Sequence, residues 1–467
     1  MRTNKFLIVF MVLLIALMAA CTPETPAETE PPAVEEPEVE EPEVEEPEVE
    51  EPEVEEPEME EPEMEPVTIE VFYPVAVDAP IADVLNGYIA DFEAAYPYIT
   101  VEPVFSGGYT DVQTAIQTTI DGGGEPPAVA VLLATALYDL INADYIAPLD
   151  GYIAAMDDGD AYVADFLPAF LENSYYDGQL WSIPFQRSAV VLYYNVDMFA
   201  DADMKAPDSW QSWADAAQAM TTTEGDTTNW GMLFSSDWPY WLFQPLAIGA
   251  GQNILMDDCT VAFDAPEVID AVQFYIDLSA EYGAMPAGVQ ANWASSATDF
   301  ASGMTSMVTH SSGSLTSILS QAEFTVGVMP YPGREAGTFA SVPGGGNFYI
   351  MKGAPQEKQD AAWKFIEFIS GPEYVADYSI NTGYIANRYS AYETNAMLSY
   401  IEEVPQALDT RDALEYAGAE LATQNLNEVR SIFHDYIQRA INGEMGAEEA
   451  MQMAQQEAEA ALADFCP

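Results

Sequence analysis

From Glu35 to Met64 the pentamer Glu-Glu-Pro-Glu-Val/Met repeats six times. Proline at every fifth position blocks a helix, and the glutamates between repel one another, so this stretch is expected to be extended and without a fold of its own. The whole run 22–66 holds 22 glutamates. Stretched as polyproline II it would reach about 140 Å, at ~3.1 Å per residue. A folded body is thereby confined to residues 67–467. That body keeps 56 acids against 10 bases, a net −46 out of −66 for the whole chain. Such a surface repels nucleic-acid phosphate and anionic lipid headgroups, so neither is an expected partner. Hydrophobic residues still make up 49% and aromatics 12%, enough to bury a core, and a body of this length is expected to divide into two lobes.

Residues 1–20 read as an export signal. Arg2 and Lys5 give a positive start, Phe6 to Ala20 is an unbroken apolar run, and small residues follow it. The run is shorter than the about 20 residues that cross a bilayer. Leu17-Met18-Ala19-Ala20-Cys21 resembles a bacterial lipobox, which implies lipidation of Cys21 and a membrane anchor through lipid alone. Residues 21–66 then serve as a tether. Cys259 and Cys466 are the remaining cysteines; outside the cytoplasm they either pair or stay free.

Along the body, strand and helix patterns alternate. Residues 67–73 and 99–105 alternate as strands, and Ala128 to Leu133 and Ala189 to Tyr194 read as buried strands. Helical stripes fall at Leu85 to Ala95, after a Thr110 cap, at 209–220, 264–280, 356–369 and 426–441, and again at 447–465. Asp177-Gly178 signals a hairpin. This alternation predicts an α/β fold with a mostly parallel sheet covered on both faces.

No P-loop, dinucleotide fingerprint, His-Glu-x-x-His or Gly-x-Ser-x-Gly appears. Neither a metal centre nor a cofactor is expected. Asp157-Asp-Gly-Asp160 lacks the twelve-residue calcium pattern and reads as an acidic surface loop. With so many acids, a carboxylate pair at glycosidase distance carries no information. Trp181, Trp210, Trp213, Trp238 and Trp241 instead stand near serines, glycines and asparagines. Rings of this kind either fill a core or stack on the C–H face of a sugar or polyol.

Six motifs in order carry a family resemblance: Tyr-Asp-Gly-Gln-Leu-Trp-Ser-Ile-Pro-Phe at 176–185, Val-Leu-Tyr-Tyr-Asn at 191–195, Ala-Pro-Asp-Ser-Trp at 206–210, Phe-Ala-Ser-Gly at 300–303, Pro-Gly-Gly-Gly at 343–346 and Thr-Gly-Tyr at 382–384. The body resembles family 1 extracellular solute-binding proteins of ABC importers. Met307 to Leu315, Val326 to Tyr331 and Asn381 to Tyr384 are similar to the branch that binds sn-glycerol-3-phosphate. The resemblance implies a two-lobe periplasmic-binding-protein fold with several hinge crossovers, near 184–188, 308–312 and 370. Lobe 1 would hold 67–187 and 312–369, and lobe 2 would hold 188–311 and 370–467.

Carried over motif by motif, the resemblance implies ligand contacts from Tyr109, Ser188, Ser311, Gly345, Tyr384 and Arg430, with Trp238 and Trp241 beside them. The glutamate with which that branch holds glycerol hydroxyls has no counterpart in Leu133-Ala-Thr135. Arg430 would take a phosphate with its planar fork. Arg187 is expected in solvent or paired with an acid. The implied protein is no enzyme. It is a monomeric, lipid-anchored extracytoplasmic binder that passes sn-glycerol-3-phosphate or a glycerophosphodiester, ahead of a sugar or oligosaccharide, to ABC permease subunits. A secreted glycoside hydrolase and a sensor or adhesion lipoprotein are the competing classes.

Overall fold

The computed structural model describes residues 64–235, 239–288 and 292–466. The signal segment, Cys21, nearly all of the tether and Trp238 lie outside the described residues. Among the described residues no helix is long and apolar enough to cross a membrane.

The first third folds as read from its pattern. Strand β1 (Val67–Tyr73) pairs in parallel with β2 (Ile99–Phe105) and with β3 (Val129–Leu133), and helices α1 (Ile81–Ala95) and α2 (Tyr109–Asp121) connect them. Leu85, Tyr88, Ile89 and Phe92 are the buried stripe of α1. Burial of side chains of this size is worth roughly 1.5–3 kcal/mol each. Helix α2 starts one residue before the expected cap: Gly108 is its N-cap, and Asp111 Oδ2 accepts from the Gly108 amide at 2.8 Å. Asp177 and Gly178 both have positive φ, 51° and 76°, and join the two strands of a small hairpin.

The sheet is mixed rather than mostly parallel. Its eight strands run β2-β1-β3-β8-β4-β6-β5, where β4 is Ile183–Asn195, β5 Met232–Phe234, β6 Met307–Ser311 and β8 Pro343–Ile350; β7 (Val326–Met329) also pairs with β4. β8 is antiparallel to both β3 and β4, and β6 and β7 are antiparallel to β4. The cause is β4, a single 13-residue strand that serves two groups of partners. Its first half, Ile183 to Ala189, lies against β8, and its second half, Val190 to Asn195, lies against β6 and β7.

Two large cores flank that change of partner. One gathers Ile69, Val71, Phe92, Phe348 and Phe365. The other gathers Trp213, Phe234, Leu246, Phe263 and Phe433. Core membership departs from the expected division in two places. Val326 and Val328 of β7 cluster with Val191, Tyr193 and Val308, because β7 hydrogen-bonds to the second half of β4. Just past residue 370 the chain still belongs to the first core, through Tyr378 and Tyr384, whereas from Leu421 on it belongs to the second.

The numbering of helices follows the chain: α3 (Trp210–Met220), α4 (Pro239–Ala250), α5 (Pro266–Ala280), α6 (Trp293–Ala301), α7 (Gln356–Ile369), α8 (Pro372–Thr382), α9 (Leu426–Ile441) and α10 (Ala447–Leu462). Ser209 caps α3, accepting from the Ser212 amide at 3.2 Å. Helices α9 and α10 pack on each other and on α5. Cys466, just beyond α10, forms a disulfide with Cys259, which sits 207 residues earlier in a short hairpin.

Candidate functional site

The triple glycine of β8 shows why a glycine run is needed where the two cores meet. Gly344 lies opposite Ser188, Gly345 opposite Arg187 and Gly346 opposite Gln186. A Cβ on Gly344 would collide with the Trp241 indole, and one on Gly346 would come within 2.6 Å of the Tyr109 ring. At Gly345, φ is +100° and a Cβ would strike the Gln186 carbonyl oxygen. Bare backbone here lets Trp241, from one core, and Tyr109, from the other, close on the same strand.

Between those rings is a cleft. Tyr109, Ser188, Trp241, Ser311, Gly345 and Tyr384 all line it, so six of the eight side chains or backbone positions named from sequence come together. Trp238 lies outside the described residues. Arg430 is not part of the lining. It stands half-buried in the first turns of α9, with Cζ 5.9 Å from the Tyr240 ring centroid and Nη2 donating to Asn427 Oδ1 at 3.1 Å.

Four of the wall residues are held by specific contacts. Trp241 Nε1 donates to the Pro343 carbonyl at 2.9 Å, which commits the polar edge of the indole and fixes its plane. Tyr109 Oη donates to Gln186 Oε1 at 3.1 Å, and the Tyr384 ring stacks on Tyr378 at 5.9 Å. Ser311 Oγ accepts from the Gly313 amide at 3.0 Å. Burial pushes the Tyr109 and Tyr384 phenols up, so both remain protonated donors.

Tyr240, Trp293 and Glu420 also line the cleft, with Ala76, Val77 and Leu133, and were not legible beforehand. The chain's two histidines support the two rings. His310 Nε2 lies 3.0 Å from the Trp293 carbonyl and Nδ1 lies 2.9 Å from Ser314 Oγ, with the imidazole 3.8 Å from the Trp293 ring. A carbonyl can only accept, so Nε2 carries the proton. Burial pulls His310 down to about 4, which keeps it neutral near pH 7. His434 Nε2 accepts from the Tyr240 amide at 3.2 Å, and burial pulls this histidine down to about 3.

Charge in the cleft is local and opposed. Arg187 is fully buried, which rules out the solvent half of its expected placement, and no ion pair joins it to an acid among the described residues. Nη1 donates to Asn347 Oδ1 at 3.0 Å and the guanidinium rests 5.0 Å from the Phe170 ring, while Nε and Nη2 have no hydrogen-bond partner among the described residues. Asn347 is itself oriented by Ser182 Oγ at 2.9 Å and Ser174 Oγ at 3.1 Å. Burial lowers the Arg187 pKa, opposed first by Glu420. Glu420 is pushed up to about 8 by burial, with Arg187, the Tyr240 hydroxyl and Arg430 pulling the other way. Only this one carboxyl group appears in the described lining, whereas glycoside hydrolysis uses two across the scissile bond. Among the described residues no His, Cys, Asp and Glu cluster could hold a metal ion.

Residues 87–405 match the model of the bacterial extracellular solute-binding protein family. The chain belongs to that family. This solute-binding protein is 26% identical over 384 residues to the sn-glycerol-3-phosphate-binding periplasmic protein UgpB of Salmonella typhimurium, covering 78% of this chain and 85% of that one. Among solved structures it is similar to UgpB from Mycobacterium tuberculosis in complex with glycerophosphocholine, with TM-score 0.75 at 22% identity over 85% of this chain and 99% of that one. It is also similar to maltose-bound T. maritima MalE3, with TM-score 0.71 at 21% identity over 84% and 99%. The solute-binding protein thus has the two-lobe fold of these proteins, and its cleft lies where its two cores meet.

Proposed function

We propose that this protein is the extracytoplasmic binding component of an ABC importer, anchored through lipid on Cys21 and held off the membrane by the repeat tether. It captures one small polyol-type solute in the cleft and passes it unchanged to permease subunits. The observation that carries this reading is the wall itself: Trp241 and Trp293 rings from one core, Tyr109 and Tyr384 from the other, and serine hydroxyls with a bare glycine backbone between. Ring faces take the C–H side of such a molecule, while hydroxyls and amides hold its oxygens. Lobe 1 in this reading is 67–189 with 343–384, and the pivot is the point in β4 where strand partners change. Ligand contacts to both lobes favour closure.

Two solute classes have support. The Salmonella relative binds sn-glycerol-3-phosphate by name, and Arg430 at the Tyr240 ring supplies a cation near the cleft. A sugar is favoured by Glu420 in the wall and by the place of Arg430 outside it. A thermal-shift panel on the full chain tests the reading, with glycerol-3-phosphate, glycerophosphocholine, maltose, trehalose and simple hexoses. A bound solute at a hundred times its Kd adds about 2.7 kcal/mol of stability and raises Tm. Arg430→Ala is expected to remove a phosphate-dependent shift and only weaken a sugar-dependent one. No shift with any member of the panel contradicts the reading.

A further inference from the structure

Helix α9 has a start that its own residues do not finish. Its N-cap, Asn425, has φ +51° and makes no side-chain cap; Nδ2 donates instead to the Ala461 carbonyl of α10 at 3.0 Å. The acid of the first turn, Glu428, is exposed. The first amides of a helix need acceptors from outside it, and that end carries the positive end of the helix dipole. Here the acceptor comes from across the cleft. Asp139, on the short helix Leu137–Asn142, accepts from Asn427 Nδ2 on its Oδ2 at 3.4 Å. Burial raises the Asp139 pKa, and the Leu426 and Asn427 amides, followed by Arg430, pull against that rise. Nearby, Asn142 Nδ2 donates to Gln424 Oε1 at 2.7 Å.

These contacts join one lobe to the other. Leu137 and Leu140 pack with Val112, Ile116, Ala130 and Leu132 around β3, whereas Leu426 and Val429 belong to the second core. Both segments run on from the cleft wall, one after Leu133 and the other after Glu420. Neither β4 nor β8, the strands at the pivot, takes part. The second-lobe half is firmly seated: the Gln424 amide donates to the Asp258 carbonyl at 2.8 Å, and Gln424 Nε2 to Asp258 Oδ2 at 3.2 Å, next to the disulfide of Cys259 with Cys466. Asp139 is half-buried, and Asn142 and Asn427 are exposed, so water replaces each partner when the lobes part. Contacts of this kind supply a modest bias, which is what an equilibrium between open and closed lobes responds to.

We propose that Asp139 and Asn142 form a latch between the lobes: with the lobes together, Asp139 supplies the missing cap of α9 and Asn142 holds Gln424, and this favours the closed arrangement before any solute arrives. A chain biased toward closure in this way binds its solute more tightly, because less of the binding energy goes into closing. The latch goes beyond the solute-binding reading, and its test needs no solute.

Hydroxyl-radical footprinting of the solute-free full chain reads the latch through the oxidation rates of Tyr109 and Trp241, which are 6% and 7% exposed on the cleft wall. Trp213 and Phe92, buried in the two cores, are the internal references. Asp139→Ala is expected to raise the rates of the two cleft rings about 3- to 30-fold, the factor that a lost helix cap corresponds to. Asn142→Ala is expected to raise them about 2- to 10-fold. Glu428→Ala removes the acid that α9 itself carries and should leave them at the wild-type rate. Trp213 and Phe92 should not change in any variant.

Wild-type rates at Tyr109 and Trp241 in both Asp139→Ala and Asn142→Ala overturn the proposal. So does an equal rise at Trp213 and Phe92, which marks general loosening rather than parted lobes. Asn142 is exposed, so its variant decides the matter even where Asp139→Ala fails to fold. Either contrary result leaves the solute-binding reading standing.

Discussion

Gly345→Ala is expected to destabilise the protein by about 2–5 kcal/mol and to abolish solute binding. Two effects add. The backbone there is at φ +100°, a conformation that costs an L side chain about 1–3 kcal/mol, and the new Cβ meets the Gln186 carbonyl oxygen, which belongs to the central strand and cannot turn aside. Relief requires β4 and β8 to separate where Ser188 and Gly345 face the cleft. Gly337→Ala is the control: φ is +77° but nothing lies within 4 Å of its Cβ, so only the conformational part, about 1 kcal/mol, is expected. Urea unfolding separates the two variants. Equal losses at both positions would mean that the close approach at Gly345 is unimportant.

Arg187→Ala is the second large effect, with an expected loss of about 2–5 kcal/mol from the cavity and the lost buried hydrogen bond. The guanidinium is fully buried, and its removal leaves Asn347 Oδ1 without its donor and Glu420 without its first-ranking cation. Asn347 Oδ1 is then a buried acceptor without its donor, and the space the guanidinium filled beside the Phe170 ring is left empty. Arg187→Lys should restore little, because a single ammonium cannot both reach Asn347 and lie flat over Phe170 as the planar fork does. A cleft that binds its solute normally in Arg187→Ala, with unchanged unfolding, would place this residue outside the account.

Local pattern carried much of the scaffold. β1 and β2 were readable because alternation exposes one face, and α7 and α9 because their apolar residues recur at helical spacing. Helix α4 was not, since Pro239 to Ala250 is apolar on all sides and contains Pro245; its burial among other helices replaces amphipathicity as the reason it folds. The start of β4 was hidden by Pro184 and Arg187, residues that argue locally against a buried strand. Arg187 is buried only because Asn347, 160 residues away, meets it.

The cleft divides the same way. Motif likeness brought out Tyr109, Ser188, Ser311, Gly345 and Tyr384, but composition and spacing alone did not rank them above other small polar and aromatic residues. Trp293 and Tyr240 gain their place from histidines on β6 and α9, contacts between segments far apart in sequence. Glu420 carried one faint signal, a lone acid among Ala417, Gly418, Ala419, Leu421 and Ala422. Its burial and its orphaned oxygen emerge only from tertiary packing.

The most direct measurement is titration of the full chain with the solute that most raises its Tm, followed by chemical analysis of the solute recovered from the complex. The account predicts one solute per chain, recovered intact, with no measurable binding to Gly345→Ala or Trp241→Ala that remain folded. Recovery of a cleaved or otherwise altered solute, or undiminished binding by both variants, would contradict it.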